Sequence, residues 1–182
     1  MMYEPKDILA FWFSEQVKPL WFNSTAAFDE EIRQRFLDVY QAALKKQLVN
    51  WGSTPQGSVA LIIVLDQFPL NMFRGKAESF AGEKLAREVA GNAIEQGFDE
   101  QLEDEQKAFL YLPYMHSEDL SDQELSVQLF EKAGLKENLR FAKHHRDIVK
   151  RFGRFPHRNA ALGRASSEAE IAYLNSDEAF HG

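Results

Sequence analysis

The sequence predicts an all-α protein of about eight helices, stacked as antiparallel helical hairpins. Three observations carry this. Apolar residues recur three and four positions apart along most of the chain. Capping residues open these stretches, and glycine or proline closes them. No Asn-Gly or Asp-Gly turn joins two alternating runs, so a hairpin signal is missing.

The elements follow in order. Asp7 to Glu15 reads as a first helix. Phe28, Ile32, Phe36, Val39, Tyr40, Ala43 and Leu44 form an apolar stripe with acids before it and Lys45 and Lys46 after it, as the helix dipole favours. Thr54-Pro55 supplies an N-cap and a first-turn proline for a helix to about Gln67. The β-branched content of that stretch also permits a buried strand. A helix from Ala77 to Gln96 stops at Gly97, and one from Glu103 ends near Pro113. Ser121-Asp122-Gln123-Glu124 is a capping box for a helix closed by Gly134; another spans Glu137 to Phe152, and Ser167-Glu168-Ala169-Glu170 caps a short last one. Short connections place such helices beside one another as antiparallel neighbours in a single domain, 1–182. Phe68-Pro69 and Phe155-Pro156 look alike, and each proline is expected to end a helix at the phenylalanine before it.

Composition narrows the chemistry. The 182 residues contain no cysteine, which removes disulfides, thiolate catalysis and Cys-type metal sites and points to a reducing, cytoplasmic setting. The longest apolar run, Val59 to Leu65, is far below what a membrane helix needs, and Met1 to Asp7 lacks the basic start of a leader, so no membrane association is expected. The net charge of −7 disfavours nucleic acid. It is unevenly spread: Arg140, Lys143, Arg146, Lys150, Arg151, Arg154, Arg158 and Arg164 stand against Asp147 alone, giving +7 there and −14 elsewhere.

Polar residues at positions where the periodicity demands apolar ones mark candidate sites. Asp66, next to Gln67 on a nearly all-apolar helix, must be buried and therefore either paired, with Arg74 or an arginine of the basic window, or bonded to several backbone N–H groups; alternatively Asp66 and Gln67 brace the turn at Pro69. His145 falls on the stripe Phe141, Ile148, Val149, Phe152; it is either a core imidazole bonded to a backbone carbonyl or an inward functional group, and burial lowers its pKa in both cases. His116-Ser117-Glu118-Asp119 offers a base with its carboxylate partner, two metal ligands, or the first turn of a helix. Arg151, Arg154, His157, Arg158, Asn159 and Arg164 suit a phosphate or carboxylate, or else clamp the acid-rich stretch Glu95 to Glu124. Phe152 and Phe155 could stack on a single-stranded base, a reading the acidic remainder opposes. Zincin, P-loop, nucleophile-elbow and dinucleotide signatures are missing, and no cofactor or resident metal is called for.

Over nearly its whole length the chain resembles DUF924, a bacterial family of uncharacterised proteins. The resemblance rests on Ile8-Leu9-Ala10-Phe11-Trp12-Phe13, Trp21-Phe22, Leu65-Asp66-Gln67-Phe68-Pro69 with Asn71-Met72-Phe73-Arg74-Gly75, Tyr111 to Leu120, and His145-Arg146-Asp147-Ile148 through Arg151 to Asn159 and Gly163-Arg164. It implies a helical fold related to tetratricopeptide repeats and carries no reaction. The family pattern near Ser167 is closer to Ser/Thr-Pro-Glu-Glu, so only first-turn rigidity is lost here.

The expectation is that the turns at Asp66 to Gly75, His116 to Asp119 and Arg151 to Arg164 converge on a polar pocket for a small anionic ligand. Asp66 and Glu118 would orient arginines, and His116 or His157 would carry a proton; His116, Glu118 and His157 are the candidate catalytic residues. An acidic peptide on a tetratricopeptide-like array is the alternative partner, and metal-assisted hydrolysis through His116, Glu118 and His157 a further one. Trp12 and Trp21 are expected to close the core.

Overall fold

The structure is a computed structural model that describes residues 3–182. Met1 and Met2, where the stretch inspected for a leader begins, lie outside it. The described residues are helical, with no strand among them; the strand alternative for residues 59–65 is therefore not realised. No helix among them is long and apolar enough to cross a membrane.

Helix α1, Pro5–Trp12, opens at a Glu4/Asp7 capping box and buries Ile8 and Trp12. It starts and stops earlier than the sequence suggests. Helix α2, Ala26–Leu44, begins where the Thr25 hydroxyl accepts the Phe28 N–H at 3.2 Å. It buries the expected stripe from Phe28 to Ala43.

Helix α3, residues 55–72, is capped by the Thr54 hydroxyl. Contrary to expectation it runs through Pro69. Pro55–Ile62 is α-helical, Ile63–Gln67 is a π segment and Phe68–Met72 is α-helical again. A proline ring collides with the carbonyl four residues earlier, here that of Leu65, and donates no hydrogen bond. The turn ahead of Pro69 widens: the Phe68 N–H reaches back five residues to the Ile63 carbonyl. Phe155-Pro156 behaves differently. Phe155 is extended and Phe68 helical, so the two similar motifs adopt different backbones.

Helix α4, Glu83–Glu95, is shorter than expected, because Ala77–Phe80 forms a separate 3₁₀ turn; Gly97 stops the helix at φ +68° as expected. Helix α5, Asp104–Met115, also contains its proline, Pro113, instead of ending before it. Helix α6, Leu120–Lys132, is capped by Asp119, which accepts the Ser121 N–H at 2.7 Å, so the reading of Ser117 to Asp119 as a helix start holds and the Ser121 cap is displaced by two residues. Helix α7, Lys136–Phe152, closes at left-handed Gly153, and α8, Glu168–Leu174, carries the expected Ser167/Glu170 capping box.

The backbone divides into two compact units, residues 1–74 with 78–113 and residues 75–77 with 114–182. In the first, the Trp12 ring is fully buried and meets Trp21, Phe68 and Phe109, while the Trp21 indole donates to the Trp12 carbonyl at 2.9 Å. Tyr111 donates to Asp99 at 2.6 Å; burial and that carboxylate push its ionisation upward. In the second unit α6 packs on α7. Ile148, Val149, Phe155 and Tyr173 form a core against which Phe152, Leu174, Ala179 and Phe180 pack. Fully buried Gln123 donates to the carbonyls of Met115 and Ser117, both at 2.7 Å, satisfying the end of α5. Gln123→Ala is expected to cost about 2 kcal/mol, from the cavity and two stranded carbonyls, measured by urea unfolding followed by circular dichroism.

Candidate functional site

The described site lies in the second unit, where the turn between α5 and α6 meets the loop after α7. Glu118 is the hub. Its Oε2 accepts Arg164 Nη1 at 2.7 Å, and its Oε1 accepts Arg164 Nη2 at 2.9 Å and the Phe155 N–H at 2.8 Å. Burial pushes the Glu118 carboxyl up, but the Arg164 hydrogen bond, the Phe155 N–H and the Arg164 and Arg158 charges outweigh it, holding the group below its ordinary value. Arg164 is oriented further by Asn159, whose Oδ1 accepts its Nε at 2.9 Å. Arg158 is buried, lies 4.8 Å over the Phe155 ring and donates to the His116 carbonyl at 2.9 Å.

A second clamp sits beside it. Arg154 donates to Glu170 through Nε at 2.7 Å and Nη2 at 2.9 Å, and also to the Ala165 carbonyl at 2.8 Å. The Arg154 hydrogen bond leads in pulling the Glu170 carboxyl down to about 2. The α8 capping box places Glu170, so one carboxylate serves both the helix start and the arginine.

His145 is buried on α7 with Nδ1 2.8 Å from the Phe141 carbonyl, the core-imidazole arrangement; burial lowers its pKa to about 3. Burial, then the Arg158 charge, does the same to His157. The expected stripe is corrected at Phe141, which is 46% exposed under the Arg140 guanidinium.

Arg151 differs from the other arginines. Its guanidinium lies 4.7 Å over Phe152 and 5.9 Å from the Tyr173 ring, with no carboxylate partner among the described residues. It borders an open depression of about 480 Å³ lined also by Phe152, Arg154, Ser167, Ala169 and Glu170.

The structure thus joins two of the three expected turns, through Glu118 with Arg164 and Phe155, and Arg158 with His116. Residues 66–74 of the third turn belong to the first unit. There Asp66 and Gln67 are buried, and Gln67 Nε2 donates to Asp66 Oδ2 at 2.7 Å. Arg74 does not supply Asp66's partner: it forms a two-pronged pair with Asp29, at 2.7 and 3.0 Å, which Asn71 and Ser24 also reach. Of the arginines expected to clamp the stretch 95–124, Arg164 pairs with Glu118 there, whereas Arg154 finds its acid outside it. Among the described residues no three His, Asp or Glu side chains are placed to hold one metal ion. His116, Glu118 and His157 are therefore not a ligand set, and both Glu118 oxygens are already engaged.

Glu170, Tyr173 and Phe180 complete this region, and none of them is a candidate site residue from the sequence. The Ser167 capping signal pointed to Glu170's local role only.

Fold and site together define an all-α protein whose second unit carries a carboxylate-clamped group of arginines and histidines. The chain belongs to the family described as a bacterial protein of unknown function, DUF924, whose model matches residues 8–178. It is similar to the solved structure of a protein of unknown function from Agrobacterium tumefaciens, with 41% identity, a TM-score of 0.89, and coverage of 94% of this chain and 96% of that one. No match was found among curated proteins.

Proposed function

We propose that the second unit binds a small anionic metabolite at the depression beside Arg151 and Arg154. The observation that carries this reading is the Arg151 guanidinium, held over two aromatic faces without a carboxylate of its own among the described residues. Arg154 is neutralised by Glu170, so the site offers one net positive charge and suits a single carboxylate better than a multiply charged phosphate.

Calorimetric titration of the full chain with carboxylated and phosphorylated metabolites is expected to reveal a ligand whose affinity falls about tenfold or more in Arg151→Ala. Binding that the substitution leaves unchanged would defeat the reading. Lack of any ligand in either set would do the same.

A second reading has its own support. The depression is open, and Lys136, Lys143 and Lys150 continue from Arg151 along α7 at seven-residue spacing, a cationic row roughly 20 Å long. An acidic peptide would lie along such a row. Salt-sensitive binding of a Glu-rich peptide, weakened by Lys143→Ala, distinguishes it from the small ligand, which Lys143 does not approach.

A further inference from the structure

The segment that follows α8 returns to buried His145 and half-buried His157. The Ala179 N–H donates to the Ser176 carbonyl at 3.2 Å and the Phe180 N–H to the Tyr173 hydroxyl at 2.9 Å. The Phe180 ring lies 4.4 Å from the His145 ring and 4.9 Å, edge-on, from that of His157. Gly182 is close enough to His157 that a Cβ there would stand 3.2 Å from the ring's Cδ2. Around these two imidazoles the charged and titratable neighbours are His116, His144 and Arg158 on the positive side and Glu118 on the negative. Glu118 is already committed to Arg164 and Phe155.

We propose that residues 176–182 form a strap that keeps His145 and His157 out of water and releases them in mild acid. The geometry supplies the reason. The Phe180 ring keeps water from the two imidazoles, which costs little while both are neutral, whereas a proton on either leaves a poorly hydrated cation next to Arg158, with Glu118 already committed elsewhere. With the strap closed both imidazoles hold values of about 3, against an ordinary 6.5 when open to water. Closure is therefore fully supported above pH 6.5 and weakens as the pH falls, by about thirtyfold for each imidazole at pH 5. Release exposes two imidazoles beside an arginine, a site unavailable at neutral pH. This inference is independent of Arg151 and its ligand.

The five histidines, His116, His144, His145, His157 and His181, can be titrated individually by NMR of the imidazole Cε1–H. In the intact chain His145 and His157 are expected to titrate well below the ordinary 6.5. The backbone amide signals of residues 176–182 should change toward those of an unstructured segment between pH 7 and pH 5, while those of α7 stay in place. In Phe180→Ala both imidazoles are expected to rise by more than one pH unit. Phe180→Leu, which keeps an apolar side chain, serves in the same assay should the alanine variant fail to fold. Two results overturn the proposal: imidazoles that remain low in the folded variant, because the core alone then keeps them dry, or strap amides in the intact chain that hold unchanged to pH 5.

Discussion

Adding one methyl group as Gly82→Ala is expected to destabilise the first unit by about 3 kcal/mol or more, a cost at the upper end for overpacking. An alanine Cβ there would stand 2.2 Å from the Leu65 carbonyl oxygen and 3.0 Å from its carbon. Neither atom is the loose end of a side chain. Leu65 lies in the fully buried π segment of α3, and its carbonyl is the one Pro69 leaves without an α-type partner, so the backbone has little freedom to yield. Gly52→Ala is the control, since nothing lies within 4 Å of its added Cβ. Trp12, Trp21 and Trp51 all belong to the first unit, so urea unfolding followed by tryptophan fluorescence reads that unit alone. Equal midpoints for the two variants would show that α4 can move away from α3 cheaply.

The second large effect is expected at Glu118. Glu118→Ala removes a two-pronged ion pair and the acceptor for the Phe155 N–H together, leaving Arg164 without its carboxylate. The Glu118 and Arg164 side chains keep 26% and 23% of their exposure, so water replaces part of what is lost, and about 3 kcal/mol is expected in place of a fully buried pair's greater cost. The unit contains no tryptophan, and amide exchange of α7 and the loop after it is the suitable measure. The pH dependence has a definite direction. A carboxyl held below its ordinary 4.5 contributes stability above that value and loses it as the pH falls toward the folded one. Glu118→Gln, which keeps the shape without the charge, should therefore show a shallower loss of stability below pH 4.5. An acid profile identical to that of the parent chain would mean that Glu170, not Glu118, dominates it.

Local features of the fold were legible in the sequence. The α2 stripe, the Thr54 cap, the Ser167 box and the glycine stops at 97 and 134 each depend on residues within a turn or two. The errors arose where distant contacts decide. Ser121 and Asp119 are competing caps two residues apart, and Asp119 prevails while Gln123, read as part of the Ser121 box, turns inward to the end of α5. Pro69 opposes an α-helix but not the wider turn that removes its clash, and spacing alone does not separate the two. The burial of His145 followed from its stripe, but the ring above it belongs to Phe180, and nothing in spacing foretells that contact. Likewise Arg154 and Arg164 were recognisable as anion partners, and the anions they meet are the chain's own carboxylates.

The Glu118–Arg164 pair also bears on the order in which the second unit assembles. Its two ends are 46 residues apart, and closing a flexible loop of that length costs roughly 3 kcal/mol of chain entropy before any bond is made. The α6–α7 hairpin between them closes over a short turn and needs no such outlay. A growing chain can pair those two helices as soon as Phe152 has left the ribosome, yet Glu118 must wait for Arg164, and Arg154 for Glu170. Throughout that interval Glu118 and Arg154 lack the partners they have in the folded unit.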